Sequence, residues 1–290
     1  MDIRALGLKR GVARTEHTLH AAAGEAHQAA VNPWVERLAR FGYVARGVLY
    51  IIVGVLAVEV ALHAGGTTTT PRGAIGTIAA LPSGKVLLVL TAIGLAGYGL
   101  WGFVRAILDP LHQGAKPAGL VKRCGYLASA CTYTALVVPT VQLLLGSGDG
   151  GNGSASLVGR ILGMPGGPWL VGIAGVIFLA GAGGGQFYEA ATAHFRREFK
   201  SSELKPEQFR LVTIIGRIGM AARGVVFTMM GAFLIQAAVH TDAVRAKGLD
   251  GALQMLAAQP QGQALLGVVA AGLVCFGVYS VCCARWIRVT

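Results

Sequence analysis

Charged residues are scarce in this chain of 290 residues, at 13%, whereas hydrophobic residues make up 54%. Soluble domains carry about twice that charged share. This composition excludes an intrinsically disordered chain, which needs many charged and few apolar residues. It also excludes an ordinary cytosolic enzyme, because too few polar side chains remain to cover a surface in water. The composition instead predicts a protein that is solvated largely by lipid.

Catalytic and metal-binding patterns are also lacking. The sequence contains no Gly-x-Ser-x-Gly elbow, no His-Glu-x-x-His pair and no Walker loop. Its five cysteines lack the spacing of zinc ligands, and they do not form the dense framework of a small secreted scaffold. We therefore expect no enzymatic activity, no metal site and no cofactor.

Six apolar runs are long enough to cross a membrane. A helix needs about 20 residues to span roughly 30 Å of hydrocarbon. Strands are excluded because a transmembrane barrel would need a two-residue alternation, which these runs do not have. The sequence predicts six transmembrane helices at about residues 43–62, 84–106, 124–145, 167–188, 217–239 and 262–284.

The net charge of +12 is distributed unevenly along the chain. Of its 25 Lys and Arg residues, 20 lie near the termini and in alternate connections between the runs. Short basic segments mark the cytoplasmic side of a membrane protein, so membrane topology explains the charge better than binding to nucleic acid does. We expect both termini in the cytoplasm and no nucleic-acid partner.

An internal repeat organises the chain. Residues 40–47 (RFGYVARG) match residues 217–224 (RIGMAARG) at five of eight positions, and residues 123–130 (RCGYLASA) keep the Arg, Gly, Tyr and Ala. The same offsets align the motifs LPSG at 81–84 and MPGG at 164–167, and one extra residue aligns QPQG at 259–262. Each copy therefore predicts one span, a loop with a short helix ending at Pro-x-Gly, and a second span.

The first copy carries a longer pattern: AR-x-GY-x-ARG-x-x-Y at 39–50, Gly-Ala at 73–74, LP-x-G at 81–84 and GL-x-x-YG-x-W at 94–101. This pattern resembles the bacterial membrane family called domain of unknown function 1206, over roughly residues 34–288. The resemblance implies a bacterial inner-membrane protein of six helices, without an assigned activity. The middle copy departs from the pattern at Ser129 and Ala130, and residues 181–185 replace its Tyr-Gly-x-Trp part.

We expect an all-α membrane protein with six transmembrane helices in three tandem two-helix repeats. Because each repeat contains an even number of spans, all three repeats enter the membrane in the same orientation. The shared orientation predicts a pseudo-threefold bundle. The predicted divisions are an N-terminal cytoplasmic tail at 1–33 and repeats at 34–110, 118–195 and 209–290.

Polar side chains inside the runs are candidate functional residues, because lipid disfavours them. Glu59 lies in the first span, and its repeat counterparts are Gln142 and Gln236. His63 and His240 follow Glu59 and Gln236 by four residues, on the same helix face. If these faces point inward, the five residues form an intramembrane polar cluster that binds a cation or relays a proton. Alternatively, Glu59 lies at the outer interface, hydrogen-bonded to His63 or to water.

A second candidate site is a set of arginines at the cytoplasmic ends of the spans. Arginines six residues apart on a helix point about 120° apart, so the two in each outer repeat cannot face the same neighbour. We expect one to face lipid headgroups and the other to pair with an acid such as Glu36, Asp109 or Glu189. This set either binds anionic lipid or another phosphate-bearing ligand, or serves only as a topology anchor. Its members are Arg40, Arg46, Arg123, Arg217 and Arg223.

Two functions remain open from the sequence. The first is a non-enzymatic structural or interaction protein that engages membrane lipids, anionic ones included, or a protein partner. The second is a small ion or proton channel or transporter that uses the cluster around Glu59, Gln142 and Gln236. A wet cavity that reaches this cluster would favour transport, and dry, tightly packed helices would favour the structural role.

Overall fold

The computed structural model describes residues 33–63, 67–109, 117–147, 153–199 and 204–287. The predicted N-terminal tail lies outside these ranges apart from Pro33. The α-helices are α1 (Pro33–Ala61), α2 (Pro71–Ala79), α3 (Gly84–Ile107), α4 (Pro117–Leu144), α5 (Gly153–Leu162), α6 (Gly167–Val176), α7 (Gly184–Thr192), α8 (Pro206–His240), α9 (Leu249–Ala257) and α10 (Gly262–Trp286). A π-helical segment, Ile177–Gly183, joins α6 to α7, and we call Gly167–Thr192 the fourth span.

Six helical stretches are long and apolar enough to cross a membrane: α1, α3, α4, the fourth span, α8 and α10. This confirms the predicted all-α membrane fold. The first span of each repeat begins 7 to 11 residues earlier than its apolar run, at Pro33, Pro117 and Pro206. Proline suits the first turn of a helix, because its missing N–H is not needed there and its φ angle is already helical. These three helices therefore extend about two to three turns ahead of their apolar runs.

Each repeat follows the predicted order of span, short helix and span. The short helices α2, α5 and α9 lie on one side of the bundle, which we call the opposite side. The side where α1 begins and α10 ends is called the terminal side. The Pro-x-Gly motifs end at the first residue of the second span, where a Cβ atom on Gly84, Gly167 or Gly262 would lie within 2.2 Å of a carbonyl oxygen. Only glycine fits this sharp entry into the second helix.

The spans form a ring in chain order. Helix α1 packs against α3 and α10, α3 packs against α4, and α8 packs against the fourth span and α10. One junction is different: in the described ranges, no extensive packing joins α4 to the fourth span. Only 17% of the most apolar stretch is buried in each of these two helices, against 39 to 50% in the other four spans. The middle repeat is therefore open between its own two helices.

Equivalent glycines locate this opening. A Cβ atom on Gly42 would lie 2.5 Å from the backbone nitrogen of Tyr98, and one on Gly219 would lie 2.5 Å from the Cα atom of Phe276. Both glycines permit close contact between the two spans of an outer repeat. Their counterpart in the middle repeat is Gly125, where a Cβ atom would meet nothing within 4 Å.

The π-helical segment shifts the register of the middle repeat. Before this segment, each position of the middle repeat corresponds to the residue 83 positions earlier, in the first repeat. After it, each position of the fourth span corresponds to the residue 84 positions earlier, because a π-helical segment accommodates one extra residue. For example, Gly183 meets Thr228 in the same way that Gly99 meets Thr134. Residues 182–185, and not 181–184, are therefore the structural counterparts of residues 98–101.

Candidate functional site

The outer arginines of the repeats cap the helices of neighbouring repeats. On the terminal side, Arg123 donates hydrogen bonds from Nε to the carbonyl oxygen of Ala106 at 2.8 Å and from Nη2 to that of Ile107 at 3.0 Å. These carbonyls lie in the last turn of α3, where no further helical N–H is available to bond them. The positive guanidinium also complements the negative end of the helix dipole.

The same contact occurs at the other two junctions between repeats. Arg217 donates to Ala190 and Ala191 at the end of α7, at 2.6 and 3.1 Å. Arg40 of the first repeat donates to the carbonyls of Ala284 and Arg285 at the end of α10, both at 2.7 Å. Because the first repeat caps the third, the three contacts close the ring.

Arg40 also has a carboxylate partner. Its Nε and Nη2 atoms donate to Glu36 Oε1 at 3.0 and 2.6 Å, across one turn of α1. Of the acids that the sequence analysis named as partners, Glu36 therefore pairs with an arginine of the set. Glu189 lies 3.8 Å from Lys122 rather than at an arginine of the set, and this loose ion pair joins the terminal ends of α4 and the fourth span.

The inner arginines, Arg46 and Arg223, face the interior of the bundle, whereas the sequence left open which arginine of each pair would face lipid headgroups. Arg46 is 7% exposed. Its Nε atom donates to Ser280 Oγ at 2.8 Å, and Nη1 donates to the hydroxyl of Tyr98. The rings of Tyr43, Tyr98 and Phe276 lie within 5.0 Å of the guanidinium carbon. Hydrogen bonds and aromatic faces together replace the water that this charge has lost.

Arg223, the counterpart of Arg46 in the third repeat, has aromatic neighbours alone. Its guanidinium carbon lies 4.2 Å from the ring centre of Phe276, 4.6 Å from Phe227 and 5.1 Å from Tyr50. Nε is buried without a hydrogen-bond partner in the described part of the chain. Arg223 nevertheless remains partly exposed, unlike Arg46.

A third buried arginine, Arg105, was not recognised as a site residue from the sequence. Its Nη1 atom donates to the Tyr43 hydroxyl at 3.0 Å, and Nη2 lies 2.9 Å from Glu198 Oε2. Tyr126 donates to the other oxygen of Glu198 at 3.0 Å. An arginine in the last turn of an apolar helix is a weak signal, and its acid lies 93 residues away in a connection between repeats.

The connection that carries Glu198 closes the terminal side of the bundle. Phe195 and Phe199 are 5% and 2% exposed, and both rings contact Tyr279. The backbone of Phe199 pairs with that of Ile287 just after α10. We call residues 194–199 the strap, because this segment crosses beneath the helices and fixes α3, α4 and α10 to one another.

The predicted intramembrane polar cluster is not assembled. Gln142, Gln236, His63 and His240 are exposed, and Glu59 is partly buried. Glu59 follows Arg46 by 13 residues, which rotates it about 140° from that inward-facing side chain at about 100° per residue. It lies on the exposed stripe of α1 in the last turn before Ala61. These faces therefore do not meet the condition, an inward orientation, under which the sequence predicted a cluster.

The histidines have other contacts. His63 Nε2 lies 2.5 Å from the amide nitrogen of Gln263, and His240 Nδ1 lies 2.9 Å from the carbonyl oxygen of Gln236. Gln236 also lines a surface groove of about 450 Å³ with Phe233 and Lys247. Within the described ranges, no hydrogen bond joins Glu59 to the other four members of the cluster.

Comparison with known proteins agrees with this architecture. The family model Domain of Unknown Function (DUF1206) matches residues 41–109, 124–193 and 218–286, once in each repeat. The chain belongs to the DUF1206 family. A curated relative from Bacillus subtilis (strain 168), "Uncharacterized protein YxxB", is 36% identical over 250 residues, which cover 86% of this chain and 90% of the relative. No solved structure matches the chain significantly.

For this DUF1206 chain, the matches confirm the resemblance inferred from the motif at residues 39–50. The capping contacts explain why an arginine recurs at Arg40, Arg123 and Arg217, because each repeat adjoins a helix end whose carbonyl oxygens need a donor. The description of the family names no activity, so a function for this member has to be argued from its own residues.

Proposed function

We propose that this chain is a non-enzymatic protein of the bacterial inner membrane whose terminal side engages anionic lipid headgroups. The observation that carries this proposal is the charge on that side. Exposed basic side chains lie there on the first turns of α1 and α8, on the strap and at the end of α10, whereas the only fully exposed acid in the described ranges of that side is Glu207. These residues, called the basic terminal face, are Arg37, Arg196, Arg197, Lys205, Arg210 and Arg285.

The positive-inside rule supports a cytoplasmic location for this face. Each Lys or Arg held near an anionic leaflet contributes roughly 1 kcal/mol of attraction. Trp34 is 73% exposed beside this face, and the Arg37 guanidinium lies 5.4 Å from the centre of its ring. A tryptophan next to a basic side chain is typical of the headgroup region of a bilayer, which supports direct contact with lipid.

The interior of the bundle favours this function over a cation or proton pathway. The terminal half of the axis holds Arg46, Arg105 and Arg223 among aromatic rings, and the strap lies across its end. Cationic side chains on an axis repel cations, because the low dielectric of the interior strengthens their field. Glu59 also lies on the exposed face of α1, away from this axis.

The proposal can be tested by measuring the melting temperature of the purified protein in neutral detergent while lipid is added. We expect phosphatidylglycerol to raise this temperature more than phosphatidylcholine does. Replacing Arg197, Lys205 and Arg210 together by Gln is expected to remove most of the difference. The matched control replaces three exposed basic residues of the opposite side, Lys85, Arg160 and Lys247, and is expected to keep it. If both triple variants lost the difference in melting temperature between phosphatidylglycerol and phosphatidylcholine to the same extent, this would contradict the proposal.

A further inference from the structure

Among the described residues, Arg223 of the third repeat lacks the hydrogen bonds that its counterpart Arg46 makes in the first repeat. In the first repeat, Arg46 has two hydrogen-bond partners, Ser280 on the preceding span and Tyr98 on its own second span. When the repeats are aligned, Gln186 takes the position of Ser280 relative to Arg223, and Phe276 takes the position of Tyr98. Phe276 has no hydroxyl group, so one of the two partners of Arg46 has no equivalent at Arg223.

Gln186, at the position of Ser280, does not form the other hydrogen bond either. Its Oε1 atom is buried without a hydrogen-bond partner in the described part of the chain, as is Arg223 Nε. Rotation of this amide could provide one acceptor at most, whereas a guanidinium has five N–H donors. The described carboxylates form no ion pair with Arg223, and the acid of the strap, Glu198, is bound to Arg105. A partly exposed guanidinium whose Nε atom is buried without an acceptor in the described ranges favours a bound group of opposite charge.

The alignment of the repeats assigns three small residues of the middle repeat to positions that large side chains occupy in the first repeat. Ser129 occupies the position of Arg46 in the middle repeat. Ala182 occupies the position of Tyr98, and Gly185 occupies the position of Trp101. In the first repeat, Trp101 is 1% exposed. A Cβ atom on Gly185 would meet nothing within 4 Å. The large side chains of the first repeat are therefore replaced by small ones in the middle repeat, whose two spans lack extensive packing in the described ranges.

The depth of this site suits a lipid headgroup. Arg223 follows the capping residue Arg217 by six residues, which places its Cα atom about 9 Å further towards the membrane centre. Long side chains on a helix point towards its N-terminus, so the guanidinium lies closer to the terminal surface than its Cα atom does. An acyl chain attached to a bound headgroup would lie against the exposed apolar faces of α4 and the fourth span, which include Leu127 and Ile177.

We propose that the opening between α4 and the fourth span binds an anionic amphiphile, with its phosphate or carboxylate group on Arg223 and its acyl chain between the two helices. This inference rests on the proposed engagement of anionic lipid. It uses residues separate from the basic terminal face, so the two can fail independently.

The test is native mass spectrometry of the full-length protein in neutral detergent, titrated with defined compounds. Phosphatidylglycerol and oleate distinguish a phosphate from a carboxylate source, phosphatidylcholine tests the need for net charge, and glycerol 3-phosphate tests the need for an acyl chain. We expect one tight site for phosphatidylglycerol or oleate, and weaker binding of phosphatidylcholine. Glycerol 3-phosphate is expected not to bind tightly.

Two variants alter the site in different ways. Arg223→Gln removes the charge, and Gly185→Trp fills the opening with the side chain found at Trp101. Each is expected to weaken the tight site by about tenfold or more, because charge-assisted hydrogen bonds are lost or the site is blocked. Lys85→Gln, at an exposed basic residue of the opposite side, serves as the matched control and is expected to leave the tight site unchanged. Arg210→Gln is measured separately to report on the basic terminal face.

The outcomes separate the two proposals. Unchanged tight binding in Gly185→Trp, or equal binding of phosphatidylcholine, would overturn the intramembrane site even if Arg223→Gln failed to fold. Tight binding of glycerol 3-phosphate would overturn the assignment of an acyl chain to the opening. Lipid binding that depends on Arg210 but not on Arg223 or Gly185 would leave the basic terminal face as the lipid contact and reject this site.

Discussion

The Nε atom of Arg217 lies 2.6 Å from the carbonyl oxygen of Ala190, so the third repeat caps the helix that ends the second. The same contact recurs from the second repeat to the first and from the first to the third. A chain of three tandem copies thus closes on itself through one type of hydrogen bond. This explains how repeats with few polar residues hold a defined orientation in lipid, where association by the hydrophobic effect is weak.

Replacing Arg217 by Met should destabilise the junction between the second and third repeats. The change removes hydrogen bonds to two terminal carbonyls and one favourable interaction with a helix dipole, and we expect the free energy of unfolding to fall by roughly 2 kcal/mol. Equilibrium unfolding in mixed micelles measures this change. Arg210→Met, on the same helix but exposed, is the control, and equal effects of the two substitutions would argue against the capping role.

The glycines at the helix crossings should differ between repeats. In Gly42→Ala, the new Cβ atom would lie 2.5 Å from the Tyr98 nitrogen, so α1 and α3 must separate. Overpacking of this kind costs roughly 1 to 3 kcal/mol. Gly125→Ala adds the same methyl group to open space and should be neutral or stabilising, because alanine favours a helix over glycine by roughly 1 kcal/mol. Comparable melting temperatures for the two variants would mean that the middle repeat is closed.

The ion pair of the strap should contribute strongly to stability. Glu198→Ala leaves the 7% exposed Arg105 without its carboxylate and Tyr126 without its acceptor. Removing one partner of a buried pair costs roughly 3 to 5 kcal/mol, and the lower value suits Glu198, which is 20% exposed. Thermal unfolding of this variant beside Glu207→Ala, an exposed acid on α8, provides the measurement. A melting temperature no lower than that of the control would show that the strap is not held by this pair.

Ion or proton flux through reconstituted protein should not depend on Glu59. This residue lies on the exposed stripe of α1, while the bundle axis carries arginines, so we expect Glu59→Gln and the unchanged chain to give the same flux as empty liposomes. A pH-sensitive dye inside the vesicles reports proton entry. Flux that appears with the unchanged protein and disappears in Glu59→Gln would revive the transport hypothesis for the polar cluster.

The sequence predicted the fold well because its main signals are local. Apolar length defines the six spans, and the repeated motifs define the two-helix unit and its Pro-x-Gly entry. The helix lengths were underestimated at Pro33, Pro117 and Pro206, since a run of apolar residues does not reveal how many helical turns precede it.

The site could be predicted only in part. The recurrence of arginine at Arg40, Arg123 and Arg217 is visible in the sequence, but the acceptors of these arginines are backbone carbonyls, which leave no sequence signal. The outward position of Glu59 could have been inferred from its 13-residue separation from Arg46, once the inward orientation of Arg46 was known. The partners of Arg105 and the register shift in the fourth span depend on tertiary packing and on the π-helical segment, and residue spacing alone does not reveal them.

The most direct measurement is the phospholipid composition that the full-length protein retains after extraction from bilayers of known composition. The account predicts that phosphatidylglycerol is enriched over phosphatidylcholine relative to the starting bilayer, and that the enrichment falls when the basic residues Arg197, Lys205 and Arg210 are replaced by Gln. Retained lipid with the same composition as the starting bilayer would contradict the engagement of anionic lipid on which the account rests.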